Sequence, residues 1–118
     1  MKKTILIIDD SSFSRIILTD LVKKLGYSVY EASGGKEGLA KIKDLKPDAV
    51  ILDLLMPDID GLKLIEFIRK EDNIPIAVLS ANKQEAVKSK CFSLGADFYC
   101  NKPISKEKIE KLLDSIIY

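Results

Sequence analysis

The sequence predicts an α/β fold built on one five-stranded parallel sheet, and three observations lead to this prediction. Continuous β-branched and aliphatic runs, such as TILII at residues 4–8, indicate strands that are covered on both faces, as in parallel sheets. Stretches with apolar residues at helical spacing alternate with these runs. The length of 118 residues suits a single domain with one core, which we assign to residues 1–118.

Five strands are predicted, of which three are central. The runs at residues 4–8, 49–52 and 75–79 are apolar throughout, so we place them inside the sheet. The segments SVYEA at 28–32 and ADFYC at 96–100 are more polar, and we expect them to form the two edges.

Each strand is followed by a predicted helix. The first helix is expected at residues 12–25, with Ser11 or Ser12 as its N-cap and Gly26 ending it. The second is expected at residues 35–45, ending before a proline.

The remaining three helices follow the same alternation. The third is expected at residues 61–70, with Asp60 as its N-cap and Asp58 in the preceding turn. The fourth fits residues 83–94 and stops at a glycine. The fifth fits residues 105–117, where apolar residues form the stripe of a helix packed on a sheet.

This alternation also predicts the strand order. Parallel connections cross over right-handedly, and both faces of the sheet are covered only if the chain reverses its direction of growth once, which gives the order 2-1-3-4-5. In such sheets ligands bind beyond the carboxyl ends of the strands that flank the reversal, here the first and the third.

Polar residues stand at that edge of the predicted sheet: strand one ends in Asp9 and Asp10, strand three in Asp53 and strand four in Ser80, and Lys102 follows strand five. Three carboxylates at ~4 Å would repel one another by roughly 4 kcal/mol per pair at an effective dielectric constant of about 20. Such a cluster therefore predicts a bound cation.

The available ligands favour a magnesium ion. The sequence has no histidine, and its two cysteines, Cys91 and Cys100, which we expect to be reduced, lack metal-ligand spacing, which argues against zinc and copper. A few carboxylates that leave room for water and phosphate suit Mg²⁺ better than Ca²⁺. With Lys102 and Ser80 as phosphate ligands, the pattern predicts phosphoryl transfer in which Asp53 is the nucleophile.

Composition excludes several other classes of function. The formal net charge of +1 gives no general reason to expect nucleic-acid or membrane-surface binding. The apolar run after the N-terminal lysines is too short for a signal peptide, and no run reaches transmembrane length, so we expect a cytoplasmic protein.

Four short motifs, IIDDSS, LDLLMPDIDG, LSA and NKP, occur in this order at the ends of the expected strands. In these motifs the chain resembles bacterial two-component response-regulator receiver domains of the single-domain chemotaxis type, over essentially its whole length. The resemblance implies a flavodoxin-like (βα)5 three-layer sandwich with the same strand order.

The resemblance also implies a role for each site residue. Asp53 matches the phosphoacceptor, Asp10 the direct Mg²⁺ ligand and Asp9 the neighbour that holds the metal through water. Leu55 would offer its backbone carbonyl to the metal.

Three further positions match the residues that respond to phosphorylation. Ser80 matches the hydroxyl that moves toward the phosphoryl group, and Lys102 the lysine that pairs with it. Tyr99 matches the aromatic residue whose ring then turns inward, and the bond from Lys102 to Pro103 is expected to be cis.

The implied function is that of a signalling phosphoacceptor, which catalyses only its own phosphorylation and dephosphorylation. The donor would be a phosphohistidine on a sensor kinase or phosphotransfer protein, because this chain has no histidine. The face formed by helix four, strand five and helix five would bind a downstream effector protein. We expect a monomer that binds neither nucleic acid nor membrane.

Three alternatives remain open at this stage. An aspartate phosphatase of the haloacid-dehalogenase sort would need D-x-D after strand one, where Asp9 and Asp10 are adjacent. A flavodoxin-like cofactor carrier would need a dense phosphate-binding loop. A receiver-like interaction module would never take up phosphate, and Mg²⁺ titration would separate it from a phosphoacceptor.

Overall fold

The computed structural model describes residues 2–117, and these follow the predicted alternation of strands and helices. The strands are β1 (Thr4–Ile8), β2 (Ser28–Ala32), β3 (Ala49–Asp53), β4 (Ile76–Ser80) and β5 (Phe98–Asn101). The helices are α1 (Ser12–Lys24), α2 (Gly35–Leu45), α3 (Gly61–Glu71), α4 (Glu85–Leu94) and α5 (Lys106–Ile117).

All five strands are parallel and lie in the order β2-β1-β3-β4-β5, which confirms the predicted topology. The register aligns the carboxyl ends of the strands: Ile8 pairs with Leu52, Asp53 with Leu79, and Ser80 with Asn101. The residues that follow the strands therefore meet at one edge of the sheet.

Side chains of the sheet alternate between two hydrophobic cores, because successive strand residues point to opposite faces. Leu6 and Ile8 belong to the core covered by α2, α3 and α4. Ile5 and Ile7 belong to the core covered by α1 and α5. Helices thus cover both faces, and the three-layer prediction is confirmed. Cys91, on α4, is fully buried in the first core as a free thiol.

The strands β4 and β5 differ in their bounds from the sequence prediction, and the starts of both have identifiable reasons. β4 starts at Ile76, because Pro75 has no N–H for the ladder, and it extends to Ser80. β5 starts at Phe98, because the Ala96 amide donates to the Cys91 carbonyl and so belongs to the turn that ends α4.

Helix α4 begins at Glu85, two residues later than predicted. The preceding loop is held by its own hydrogen bonds: the amide of Gln84 donates to the side chain of Asn82 at 2.8 Å. The other boundaries differ by at most one residue, and Asp53 is the last residue of β3, as predicted for the acid at the end of strand three.

The predicted N-caps of α1 and α3 are confirmed. Ser11 accepts from the Ser14 amide at 3.3 Å, and Asp60 accepts from the Leu62 amide at 3.0 Å. Gly26, which follows α1, has φ +99°, a left-handed conformation that favours glycine.

The N terminus of α2 is capped by a residue from a distant loop. The two carboxylate oxygens of Asp58 accept from the amides of Gly35 and Lys36, at 3.0 Å each. These bonds hold the pKa of Asp58 below its ordinary value. Sequence reasoning placed Asp58 in a turn only, so this contact between the β3–α3 loop and α2 was not predicted.

None of the helices within residues 2–117 combines the length and the hydropathy that crossing a bilayer requires.

Candidate functional site

The candidate site lies at the carboxyl edge of the sheet, where an ammonium group contacts two carboxylates. Asp9 follows β1, Asp53 ends β3 and Lys102 follows β5. The Nζ atom of Lys102 lies 3.0 Å from Oδ2 of Asp53 and 3.7 Å from Oδ2 of Asp9. Three of the predicted site residues therefore meet through direct contacts, although they are far apart in sequence.

Backbone amides hold the second oxygen of each acid. The Ser11 amide donates to Oδ1 of Asp9 at 2.9 Å, and the Leu55 amide donates to Oδ1 of Asp53 at 3.2 Å. Each carboxylate is thus fixed between a local N–H group and the shared ammonium of Lys102, which pre-organises the pair.

Burial makes the charges of this cluster interact strongly. Asp9 is only 4% exposed, and its burial raises its pKa; the Ser11 amide and Lys102 offset this effect in part. For Lys102, burial alone would lower the pKa, but the hydrogen bond and charge of Asp53, together with Asp9, raise it above its ordinary value. Two carboxylates share one ammonium, so the cluster keeps an excess negative charge.

The oxygen donors of this cluster fit a magnesium ion. Among residues 2–117, no three acidic, histidine or cysteine side chains form a ready-made metal-binding group. Mg²⁺ needs only one or two carboxylates, however, because it keeps several of its waters. Asp9 and Asp53 supply these carboxylates, and both contact the ammonium of Lys102. The negative charge of the exposed Asp10 contributes to the raised pKa of Asp9. The side chain of Leu55 has no donor atom, so only its backbone carbonyl could serve a metal.

Ser80, which ends β4, and Tyr99, in β5, share a neighbour, Asn82. Ser80 is buried, and its Oγ accepts from the Asn82 amide at 3.0 Å. The Tyr99 ring is 9% exposed, and its hydroxyl donates to the Asn82 carbonyl at 2.7 Å. The ring thus already occupies an inward position. The bond from Lys102 to Pro103 is cis, as the resemblance implied.

Arg15 supports the site in a way that the sequence did not reveal. Its guanidinium donates from Nη1 to the Asp9 carbonyl at 2.6 Å and forms an ion pair with Glu31 at 3.2 Å. Any residue type has a backbone carbonyl, so the sequence does not indicate the contact of Arg15 with Asp9. From the sequence alone, Arg15 is only a polar residue of the first helix.

Comparison with known proteins was decisive for the family. The sequence model of one protein family, the response regulator receiver domain, matches residues 5–114 of this chain. The chemotaxis protein CheY of Thermotoga maritima is 38% identical in an alignment of 118 positions that covers 98% of either chain. The chain belongs to the response regulator receiver domain family.

Some relatives are longer proteins, of which this chain matches only a part. The transcriptional regulatory protein PhoP of Bacillus subtilis, which is named for alkaline phosphatase synthesis, is 34% identical, and the chain spans about half (49%) of its length. The receiver domain is therefore similar both to a protein of its own size and to a part of a longer regulator.

Solved structures confirm the flavodoxin-like fold of the receiver domain. Vibrio cholerae CheY4 superposes with a TM-score of 0.93 at 27% identity, over 98% of this chain and 99% of that one. CheY in the CheX-CheY-BeF3-Mg²⁺ complex of Borrelia burgdorferi superposes with a TM-score of 0.92 at 28% identity, over 98% and 90%. Receiver domains of the CheY type are phosphoacceptors of two-component signalling, and this chain belongs to their family.

Proposed function

We propose that this receiver domain accepts a phosphoryl group on Asp53 from a phosphohistidine of a sensor kinase or phosphotransfer protein. The observation that carries the proposal is the contact of the Lys102 ammonium with Asp53 at 3.0 Å and with Asp9 at 3.7 Å, at the carboxyl edge of the sheet. A half-buried carboxylate beside a fixed cation can act as a nucleophile toward phosphorus.

The chemistry is a displacement at phosphorus. An oxygen of Asp53 attacks, the P–N bond to the donor imidazole breaks, and the imidazole leaves with the electron pair and takes up a proton. The product is an acyl phosphate on Asp53. Lys102 balances charge on the phosphoryl oxygens, and the Leu55 amide fixes the second oxygen of Asp53. Mg²⁺, when held by Asp9, Asp10 and Asp53, would neutralise further phosphoryl charge.

The proposed output is a change in the face formed by α4, β5 and α5. A new dianionic group beside Lys102 would attract the hydroxyl of Ser80, which now binds the Asn82 amide. Movement of Ser80 would affect the loop to which Tyr99 is bonded, and so shift an existing equilibrium between two conformations. A downstream effector protein would bind one of them.

We place this function in chemotaxis or a similar two-component pathway. CheY of Thermotoga maritima, a chemotaxis protein, is 38% identical and supports chemotaxis, while PhoP, a transcriptional regulatory protein, is 34% identical and supports a related two-component pathway. In the Borrelia burgdorferi structure CheY is found with CheX, beryllofluoride and magnesium, which supports a protein partner and a Mg²⁺ site for this chain as well.

The proposal is tested by incubating the protein with a small acyl phosphate and Mg²⁺ and measuring intact mass. We expect one phosphoryl adduct that neutral hydroxylamine removes, as it does from acyl phosphates. Asp53→Asn should abolish the adduct, while Asp44→Asn, at an exposed position of α2, should leave it unchanged. Omission of Mg²⁺ should prevent its formation.

Other outcomes point to other functions. An undiminished adduct in Asp53→Asn would move the acceptor to a different residue, and resistance to hydroxylamine would indicate a hydroxyl acceptor such as Ser80. Absence of any adduct, together with no response to Mg²⁺, would favour an interaction module that works without phosphate. Continuous release of inorganic phosphate at high turnover would favour an aspartate-based phosphatase.

A further inference from the structure

The loop between β4 and α4 is tied to the end of β5 by a side chain that the proposed phosphorylation chemistry does not use. Nδ2 of Asn101, the last residue of β5, donates to the Asn82 carbonyl at 2.8 Å and to the Ser80 carbonyl at 3.3 Å. The hydroxyl of Tyr99 donates to the same Asn82 carbonyl at 2.7 Å.

The Asn82 carbonyl thus receives two donors, which is the number that its two lone pairs can accept. Asn82 is exposed and lies outside any helix or strand ladder, so no regular structure fixes the direction of its carbonyl. Local hydrogen bonds hold the Asn82 amide and side chain, and the donors that contact the carbonyl itself come from β5. Because Asn101 and Tyr99 bind the same oxygen, orienting that oxygen for one donor also orients it for the other.

Asn101 is itself held in place. It pairs with Ser80 in the β4–β5 ladder, and its carbonyl accepts from Nζ of Lys108 at 3.3 Å. Lys108 also donates to the Pro103 carbonyl at 2.9 Å, which braces the segment that carries Lys102. The carboxamide therefore projects from a fixed backbone toward a loop that lies outside the helices and strands and is held by local hydrogen bonds of Ser80 and Asn82.

We propose that Asn101 is a positioning residue that holds the Asn82 carbonyl where it accepts the Tyr99 hydroxyl, so that the unphosphorylated domain already favours the ring-inward arrangement. The link to signalling rests on the proposed function, in which this arrangement belongs to the state that the effector binds. The inward ring is a feature of the unphosphorylated chain, so this part of the inference can be measured without phosphorylation. In effect, part of the switch is set before any phosphate arrives.

The test measures the Tyr99 ring directly, in protein without Mg²⁺ or phosphodonor. The chain has four tyrosines, so 3-fluorotyrosine labelling gives a small ¹⁹F NMR spectrum, in which the Tyr99 signal is assigned by its loss in Tyr99→Phe. A soluble paramagnetic agent then reports the fraction of rings turned outward. Asn101→Leu keeps the approximate shape of the side chain and removes both donors.

We expect the inward-to-outward ratio to fall about fivefold in Asn101→Leu, the effect of losing roughly one ordinary hydrogen bond. Asn73→Leu, the same substitution at an exposed position in the α3–β4 loop, should leave the ratio unchanged. Asn101→Asp, which keeps the shape but cannot donate, should act like Asn101→Leu. The proposal is overturned if either folded variant retains the wild-type ratio.

A measurement on the unaltered protein covers the case in which neither variant folds. The side-chain NH₂ protons of Asn101 should exchange with solvent more slowly than those of the exposed Asn73, and equal exchange would overturn the proposal. These results are independent of the phosphorylation test, so the two proposals fail separately. If Asp53 is phosphorylated, its initial rate with a small acyl phosphate should also fall in Asn101→Leu and not in Asn73→Leu.

Discussion

At the scale of single residues, the site is a balance between burial and pairing. Asp53 ends a strand whose other residues are fully buried, and only 12% of its side chain is exposed. A carboxylate in such a place is costly unless it is paired and hydrogen-bonded. Lys102 and the Leu55 amide provide both interactions. Asp9 shares the same lysine at a longer distance and is the less well compensated of the two acids.

Asp9→Asn is therefore expected to stabilise the folded protein in the absence of divalent ions. Burial raises the pKa of Asp9 above its ordinary value of 3.8, which means that the ionised form opposes folding. An asparagine can still accept from the Ser11 amide without carrying the charge. We expect a gain of about 0.5–2 kcal/mol in the free energy of unfolding at neutral pH, measured by urea denaturation in EDTA.

The pH dependence of that gain provides its control. Below pH 3.8 Asp9 is protonated in both the folded and the unfolded state, so the advantage of Asp9→Asn should shrink as the pH falls through the raised pKa toward this value. Asp10→Asn, at the exposed neighbouring position, should change stability by less than about 0.5 kcal/mol. A variant Asp9→Asn that is less stable than wild type at neutral pH would contradict the argument.

The sequence was sufficient to predict that Asp9, Asp53 and Lys102 meet, because the carboxyl ends of parallel strands share one edge. Asp10, the third predicted carboxylate, is exposed and forms no ion pair with Lys102. The sequence could not predict the contacts of Asp58 and Asn101. Asp58 caps a helix that begins 23 residues earlier in the chain, and Asn101 binds backbone carbonyls across a loop. Both contacts depend on loop geometry, which leaves no periodic signal in the sequence.

At the scale of elements, periodicity predicted every strand and helix, and the errors fell at their ends. The start of α4 shows why: Gln84, its N-cap, makes no side-chain cap bond there, and the loop is closed instead through Asn82. The start of β5 was misplaced because an apolar residue, Ala96, completes the turn after α4 rather than the strand. In both places a local hydrogen bond overrides the hydrophobic pattern.

Gly38, in the middle of α2, gives an element-scale prediction that runs against helix propensity. Alanine is normally favoured over glycine in a helix by about 0.5–1 kcal/mol. A Cβ atom on Gly38 would lie 2.4 Å from Cδ1 and 2.9 Å from Cγ1 of Ile8, in the core between α2 and β1. Overpacking of this kind costs about 1–3 kcal/mol. We therefore expect Gly38→Ala to destabilise the protein in urea or thermal unfolding.

A second substitution, Ile8→Val, tests whether the clash with Ile8 causes the destabilisation by Gly38→Ala, because valine lacks the Cδ1 atom that the new methyl group would meet. Alone, Ile8→Val should cost about 0.5–1.5 kcal/mol. In the Gly38→Ala background it should cost clearly less, or stabilise, so that the two substitutions are strongly non-additive. Additive effects would show that the methyl is accommodated in another way.

At the scale of the whole molecule, the site exists only in the folded chain. Its charged groups come from the segments after β1, β3 and β5, which the strand order brings to one edge while helices cover both faces. Folding therefore gathers like charges that are far apart in the unfolded chain, with Lys102 as their shared counter-charge. A ligand that binds this cluster must bind the folded state far better than the unfolded one, which couples it to global stability.

Magnesium is accordingly expected to stabilise the whole domain in a saturable manner. At a concentration 100 times its Kd, a ligand specific for the folded state adds about 2.7 kcal/mol to the free energy of unfolding, and the thermal midpoint should rise along the same curve. We expect this response in wild type and in Asp44→Asn, but not in Asp53→Asn, where a carboxylate of the proposed site is lost. KCl at matched ionic strength separates site binding from general screening. An unfolding midpoint that does not change with Mg²⁺, or that rises equally with KCl, would mean that the acids of this edge hold no metal.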